Sequence, residues 1–352
     1  MTDDTDRPEQ GSARLNPDLA ASASGSRHAV LGTLYGLFSA VGYTAANACL
    51  RAVSDCDPIW VSAVKAFPTL VMAGPWVAVQ AWRGRRIWPG WRVLGLLAMG
   101  ALVAQVIGNV IFQWSLGVVG LALAVPLTLG TMILGGALLG RTLLHEPLTL
   151  RMAAAVVTLI AAVTALSLGA GDAHRSVAGP GLPATNAWWQ VALGVAGAML
   201  AGLSYSILGV VIRYGVKGRA SLSITLLTVS TLGVISLGGW SVQRVGWRGM
   251  WDTPLAELGM MVLAGIFNAV AFLALTKALQ LVNLVYVHAL NATQATMAAL
   301  AGVLIFHEAP SPELAFGVLL TIVGLLLMKQ RTRAARRRPL PPVSPKGLDR
   351  ER

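Results

Sequence analysis

The chain has 352 residues, 55% of them hydrophobic and only 12% charged, with 27 Lys and Arg against 15 Asp and Glu. So lean a charge content excludes a soluble globular domain and points to a chain that crosses a membrane many times. The net charge of +12 does not point to nucleic acid, because the cations are confined to short segments between apolar stretches and to the tail beyond Lys329.

Residues 1–28 are polar and carry Asp3, Asp4, Asp6 and Glu9, so they read as a disordered cytoplasmic tail and not as a cleavable signal peptide. Ten apolar stretches of spanning length follow: 29–50, 58–81, 93–113, 117–140, 150–169, 189–212, 221–241, 256–278, 281–305 and 312–329. With the N-terminus inside, 22 of the 27 Lys and Arg lie on the cytoplasmic side and four on the other, a topology signal with both termini cytoplasmic; the expected location is a bacterial-type inner membrane. Trp60, Trp82, Trp88, Trp91, Trp114, Trp188, Trp189, Trp240, Trp247 and Trp251 sit near the expected span ends, where an indole satisfies both its apolar body and its N–H. Cys49 and Cys56 are the only cysteines and build no disulfide framework; they read as packing residues.

In the first stretch Tyr35, Ser39, Tyr43, Asn47 and Arg51 recur at every fourth position, a polar stripe on one helix face. The second holds Lys65, the one lysine well inside a span, with Ser62 and Thr69 on its face and Pro68 placed to bend the helix. A lysine near the bilayer centre costs roughly 2.5–3.5 kcal/mol, so Lys65 is a functional candidate; its competing reading is a side chain that snorkels to the interface. The third stretch adds Gln105, Asn109 and Gln113. Side-chain amides and phenols in hydrocarbon need partners, so these stripes face protein or a water-filled cavity. Tyr205 with Ser204 and Ser206 in the sixth stretch, Asn268 in the eighth, and His288, Asn291 and Gln294 in the ninth complete the expected substrate lining. His288 can titrate near neutral pH and is a candidate for proton coupling, set against a structural role.

A pattern occurs twice at an offset of 162: Gly42-Tyr43-Thr44 leads to Arg51 as Ser204-Tyr205-Ser206 leads to Arg213, and His145-Glu146 returns as His307-Glu308. Thr131 and Thr293, and Gly140 and Gly302, fall in with it. The chain therefore reads as repeat 1 at 29–170, an external linker at 171–188, repeat 2 at 189–330, and a basic disordered cytoplasmic tail at 331–352. Five spans per copy is odd, so the second copy enters the membrane upside down. The expected fold is an all-α polytopic membrane protein whose ten transmembrane helices form two inverted five-helix repeats, its substrate site where the copies meet. Inversion puts the two His-Glu pairs on opposite faces, so they cannot share a metal ion. Glu146 and Glu308, with Arg51 and Arg213, are expected as structural or gating elements: each Glu caps the first turn of the next helix or pairs with a nearby Arg, Arg141 and Arg151 being candidates for Glu146.

With Pro58 through Lys65 opening the second span and His145-Glu146-Pro147-Leu148-Thr149 between the fourth and fifth, the chain resembles the EamA-like branch of the drug/metabolite transporter superfamily over about 29–330. Lys65-Ala66-Phe67 stands where that family often has an Arg-Phe pair, and His145-Glu146 and His307-Glu308 where it typically has Gly-Glu. Related small multidrug pumps use a glutamate in their first helix; here that helix offers Tyr43 and Asn47 and no acid.

The resemblance implies a secondary transporter, an exporter of a small organic metabolite or drug by alternating access. Lys65 favours an anionic or zwitterionic solute. The alternatives are a flippase for a lipid-linked precursor and, behind it, a membrane sensor or intramembrane enzyme, for which no paired acids, metal cluster or activated nucleophile is evident. No catalytic residue, metal or cofactor is expected, and no ATP-binding glycine motif is present. The expected partners are the solute, the lipid bilayer and a proton or other ion gradient, with the chain a monomer or homodimer and no nucleic acid bound.

Overall fold

The computed structural model describes residues 17–85, 87–144, 150–169, 172, 174, 175, 177, 187–216, 221–281, 290 and 293–327. Among these the ordered backbone is helical and contains no strand. The helices are α1 (Pro17–Ala52), α2 (Pro58–Trp82), α3 (Trp91–Leu102), a π-helical segment (Val103–Asn109), α4 (Val110–Leu144), α5 (Leu150–Leu168), α6 (Ala187–Val216), α7 (Leu222–Arg244), the short α8 (Gly246–Trp251), α9 (Leu255–Leu281), α10 (Thr293–Phe306) and α11 (Pro312–Leu327).

Local chemistry explains several of the starts. Asp57 accepts the backbone N–H groups of Ile59 and Trp60 at 2.9 and 3.2 Å, and Pro58 fills the first turn of α2, where no N–H is needed. Ser221 caps α7 through the N–H of Ile224, and Ser311 caps α11 through that of Leu314. Helix α1 begins at Pro17, ahead of the start expected at residue 29. Within residues 17–28 the leucine and alanines favour helix, and Pro17 is tolerated in a first turn. In the linker, residues 172, 174, 175 and 177 are helical and His174 is buried, its Nδ1 2.8 Å from the Val118 carbonyl oxygen.

Among the described residues, five helical stretches are long and apolar enough to cross a membrane: Pro58–Trp82, Trp91–Leu139, Trp188–Ile212, Leu222–Arg244 and Leu255–Leu275. Shorter apolar helices lie at Ala153–Leu168, Thr293–Phe306 and Pro312–Gly324. The 49-residue stretch Trp91–Leu139 would be about 70 Å long if straight, more than twice the hydrocarbon thickness. It is broken at Gly120, whose φ of 77 and ψ of 174 lie outside the helical region. The contacts with α6 show that the chain reverses there. Before the break Gly100 packs on Val211, Gly108 on Tyr205, Ser115 on Gly197 and Val118 on Gly194. After it Thr128 donates to the Ala198 carbonyl, Thr131 lies against Gly202, and Gly135 lies against Ser206. Spans three and four are thus 91–119 and 121–144, joined at one glycine, and the turn expected between 113 and 117 moves to residue 120.

Helices related by the 162-residue offset pack side by side and antiparallel. Along α2 and α7, Gln80 meets Ser223, Ala66 meets Gly233, and Asp57 meets Arg244. Along α5 and α11, Leu166 meets Gly317 and Leu159 meets Gly324. Helix α9 packs on α1 through Ala271 and Phe267 at Gly42, and the shifted numbers 109, 105 and 204 fall on the third span and α6, which also pack together. The main buried core joins Leu50 of α1 and Val53 just beyond its end, Val61 and Val64 of α2, Leu116 and Leu121 to Val125 of α4 with Leu127, Ala198 and Ala201 of α6, Met261 and Ala264 of α9 and Ala298 of α10.

Candidate functional site

Lys65 lies on α2 seven residues beyond Pro58, roughly 10 Å along the helix axis from its start. It is half-buried, although its neighbours Val61, Ser62, Val64, Ala66 and Thr69 are buried. Its ammonium donates to Asn109 Oδ1 at 2.8 Å. The side chain therefore points toward the third span. Tyr205 of α6 donates its hydroxyl to the same Asn109 oxygen at 2.7 Å. The Asn109 amide nitrogen donates to Gln105 Oε1, and Gln105 Nε2 donates to the Val229 carbonyl of α7 at 2.9 Å. Four helical elements thus meet in one hydrogen-bonded chain, to which the part of the chain before residue 170 contributes Lys65, Gln105 and Asn109 and the part after it Tyr205 and Val229.

Two backbone features make room for it. Gln105 and Asn109 both lie in the π-helical segment Val103–Asn109, a widened turn of the kind that recurs at functional sites. A Cβ at Gly108 would stand 2.8 Å from the Tyr205 ring, and one at Gly233 would stand 2.6 Å from Gln105 Nε2, so both glycines let the polar groups approach. Ser62, one turn from Lys65, is 1% exposed and its hydroxyl has no hydrogen-bond partner among the described residues.

The expected lining is gathered only in part. Tyr43, Asn47 and Asn268 are half-buried and make no side-chain hydrogen bond among the described residues. Gln294 is buried in α10 and has a partner. Pro68 lies inside α2, where its ring packs against Gly265 of α9. His288, Asn291 and Glu146 lie outside the described residues, as does the side chain of Arg213, whose backbone belongs to α6.

A second cluster sits at the end where α1 stops. Glu308, 2% exposed, accepts Arg51 Nε at 3.0 Å and the backbone N–H groups of Leu121 and Ala122, each at 2.7 Å. Arg51 also donates to Ser54 Oγ at 2.8 Å and lies 5.4 Å from the centroid of the Phe306 ring. The carboxylate occupies the first turn beyond Gly120, where free N–H groups and the helix dipole favour an anion. A Cβ at Gly120 would fall 2.5 Å from the carboxyl carbon, and one at Gly302 would fall 2.4 Å from Oε2. His307 turns the chain with φ 53, and the Glu308 N–H returns to the Gly302 carbonyl at 3.0 Å. Glu308 therefore does cap a helix and pair with an arginine, but not those nearest in sequence. It caps the fourth span in place of α11, which Ser311 already serves. Gln113, the last of the third-span stripe, joins this end by donating to the Leu50 carbonyl at 2.8 Å.

Beside it Cys56 donates its thiol to Glu257 at 3.0 Å. Burial, that hydrogen bond and the charges of Glu257 and Asp55 push the thiol up to about 12, so it stays neutral and unreactive, in keeping with a packing role. Gly120, Ser54, Phe306 and the Val229 carbonyl had no signal in the sequence pattern; only the Gly302 end of the cradle was marked, by the repeat.

A family model, the EamA-like transporter family, matches residues 192–329. No curated protein matches the chain. One solved structure, described only as "Crystal structure of protein", superposes with a TM-score of 0.48 at 16% identity over 84% of this chain and 96% of its own, a likeness too weak to argue from.

Proposed function

We propose, from the match of residues 192–329 to the EamA-like transporter family, that this multi-pass membrane protein is a secondary transporter of the drug/metabolite type that exports a small anionic or zwitterionic organic solute. The observation that carries the reading is Lys65: a cation inside the bundle, bonded to a neutral amide, in a polar cluster shared between the two copies of the repeat. A charge placed there at a cost of several kcal/mol marks a solute path more often than a packing position. The antiparallel pairing of α2 with α7 and of α5 with α11 supports an inverted repeat, and a site shared by inverted halves is the arrangement that alternating access requires. Tyr43, Asn47 and Asn268, polar, half-buried and without a side-chain hydrogen bond among the described residues, are read as further lining, since amides and phenols are not left in hydrocarbon. Arg51 with Glu308 is read as the closed end of the path.

Counterflow in proteoliposomes with labelled organic acids, amino acids and lipophilic cations tests this. Exchange of acids or zwitterions, lost in Lys65→Ala, is the expected result; exchange of cations alone would overturn it. Repeating it with and without a pH gradient, in wild type and His288→Ala, addresses proton coupling.

A further inference from the structure

We propose that Asn109 Oδ1 is a built-in stand-in for the solute's carboxylate, so that Lys65 and Tyr205 form a two-donor clamp and Asn109 is the residue a substrate must displace. The inference rests on the transport reading above and names the chemical group which that site takes.

The argument starts from donors and acceptors. A lysine ammonium has donors only, so the atom facing it at 2.8 Å is the amide oxygen of Asn109 and not its nitrogen. The Tyr205 hydroxyl reaches the same oxygen at 2.7 Å. One oxygen thus takes two hydrogen bonds from two converging donors, one from each copy of the repeat. That is how a protein holds a carboxylate oxygen, with a charge-assisted bond and a neutral one.

The resident acceptor, however, is neutral. None of the ion pairs among the described residues includes Lys65, so the amide satisfies its geometry but leaves its charge unbalanced. A solute carboxylate supplies both, which makes exchange favourable where exchange for a neutral group is not. The amide also has somewhere to remain when displaced: its nitrogen is held by Gln105, which is itself held by the Val229 carbonyl.

The offset adds an independent point. Tyr205 corresponds to Tyr43, Lys65 to Leu227 and Asn109 to Ala271, and Ala271 packs on Gly42 beside Tyr43. Both copies keep the phenol, but only one pairs it with a cation and an amide. The clamp is therefore a specialisation of one of two equivalent positions and not a by-product of how the repeats pack.

The asparagine side chain is an acetamide group, so acetate and acetamide are matched probes. Binding to purified protein in nanodiscs is read by saturation-transfer NMR, with signal in Lys65→Met subtracted as nonspecific. In Asn109→Ala the clamp is vacant: acetate should bind at least tenfold tighter than in wild type and at least tenfold tighter than acetamide. Adding Tyr205→Phe to Asn109→Ala should weaken acetate several-fold, and Asn109→Asp, which seals the clamp with an internal ion pair, should abolish it. A folded Asn109→Ala protein that takes acetate no better than wild type, or no better than acetamide, would overturn the proposal. Clamp-dependent acetate binding without any carboxylate flux in proteoliposomes would leave the clamp standing and remove the transport reading instead.

Discussion

Glu308 and Lys65 are both charged groups held inside the helix bundle, but their surroundings differ. Glu308 is met by a guanidinium and two backbone N–H groups, all within 3.0 Å. Lys65 is met by one neutral amide oxygen. The first charge is neutralised and fully bonded, so nothing remains for it to bind; the second has its geometry satisfied and its charge not. The comparison separates a charge that organises the fold from one that awaits a ligand, and each of the following measurements presses on that difference.

The largest effect belongs to Glu308→Ala. Removing the carboxylate leaves Arg51 buried without its counter-charge and two N–H groups without an acceptor, a loss of about 3–5 kcal/mol by analogy with broken buried ion pairs. Unfolding in detergent, followed by tryptophan fluorescence, should register it. Glu308→Gln, which keeps the hydrogen-bonding shape, should lose less, and a loss under about 1 kcal/mol for the alanine variant would place Glu308 among ordinary weak surface pairs.

Gly120→Ala should come next. A φ of 77 with ψ of 174 is a region that side chains avoid, at a cost of about 1–3 kcal/mol, and the added Cβ would overlap the Glu308 carboxyl carbon. In the Glu308→Ala background the overlap is gone and only the backbone cost remains. A double-mutant cycle should therefore show the two losses to be less than additive.

These two residues also show where sequence reading stops. The pairing of helices 162 residues apart had a signal in the sequence, because rare Tyr, Arg, His and Glu recur at that offset, and Lys65 was legible because a lysine is conspicuous in an apolar helix. The stripe of Gln105, Asn109 and Gln113 was legible as polar, but not its division: two serve the clamp and the third ties the third span to α1. The partner of Glu308 was not legible, since Arg51 is 257 residues away and only the three-dimensional packing of α1 against α10 brings them together. Gly120 was hidden in a different way. It stands in an apolar run where the turn was expected a few residues earlier; its actual place depends on backbone conformation and on the Glu308 carboxylate, far away in sequence.

Lys65→Met reverses the sign expected for Glu308→Ala. Replacing a half-buried cation that has no counter-charge among the described residues by an apolar side chain of similar length should leave stability unchanged or raise it by about 1 kcal/mol, while transport and clamp binding are lost. Stability and exchange measured on the same preparation test the comparison directly. A Lys65→Met protein as destabilised as Glu308→Ala would make Lys65 a second organising charge.

His307→Gly carries the smallest expected change and bears on how the Glu308 end was assembled. His307 holds φ 53, a left-handed conformation that glycine adopts freely and that costs other residues roughly 1 kcal/mol. That conformation brings the Glu308 N–H back to the Gly302 carbonyl and sets the carboxylate in its cradle. Here the resemblance acquires a physical basis: a Gly-Glu pair is what this geometry asks for, and His-Glu meets it with strain. Relief of that strain, offset by the greater freedom of glycine in the unfolded chain, should leave a net gain of about 0.5 kcal/mol or less. His307→Val, β-branched at the same φ, should lose stability instead. Equal stability of the glycine and valine variants would mean that the turn relaxes, and that the cradle around Glu308 does not depend on the residue before it.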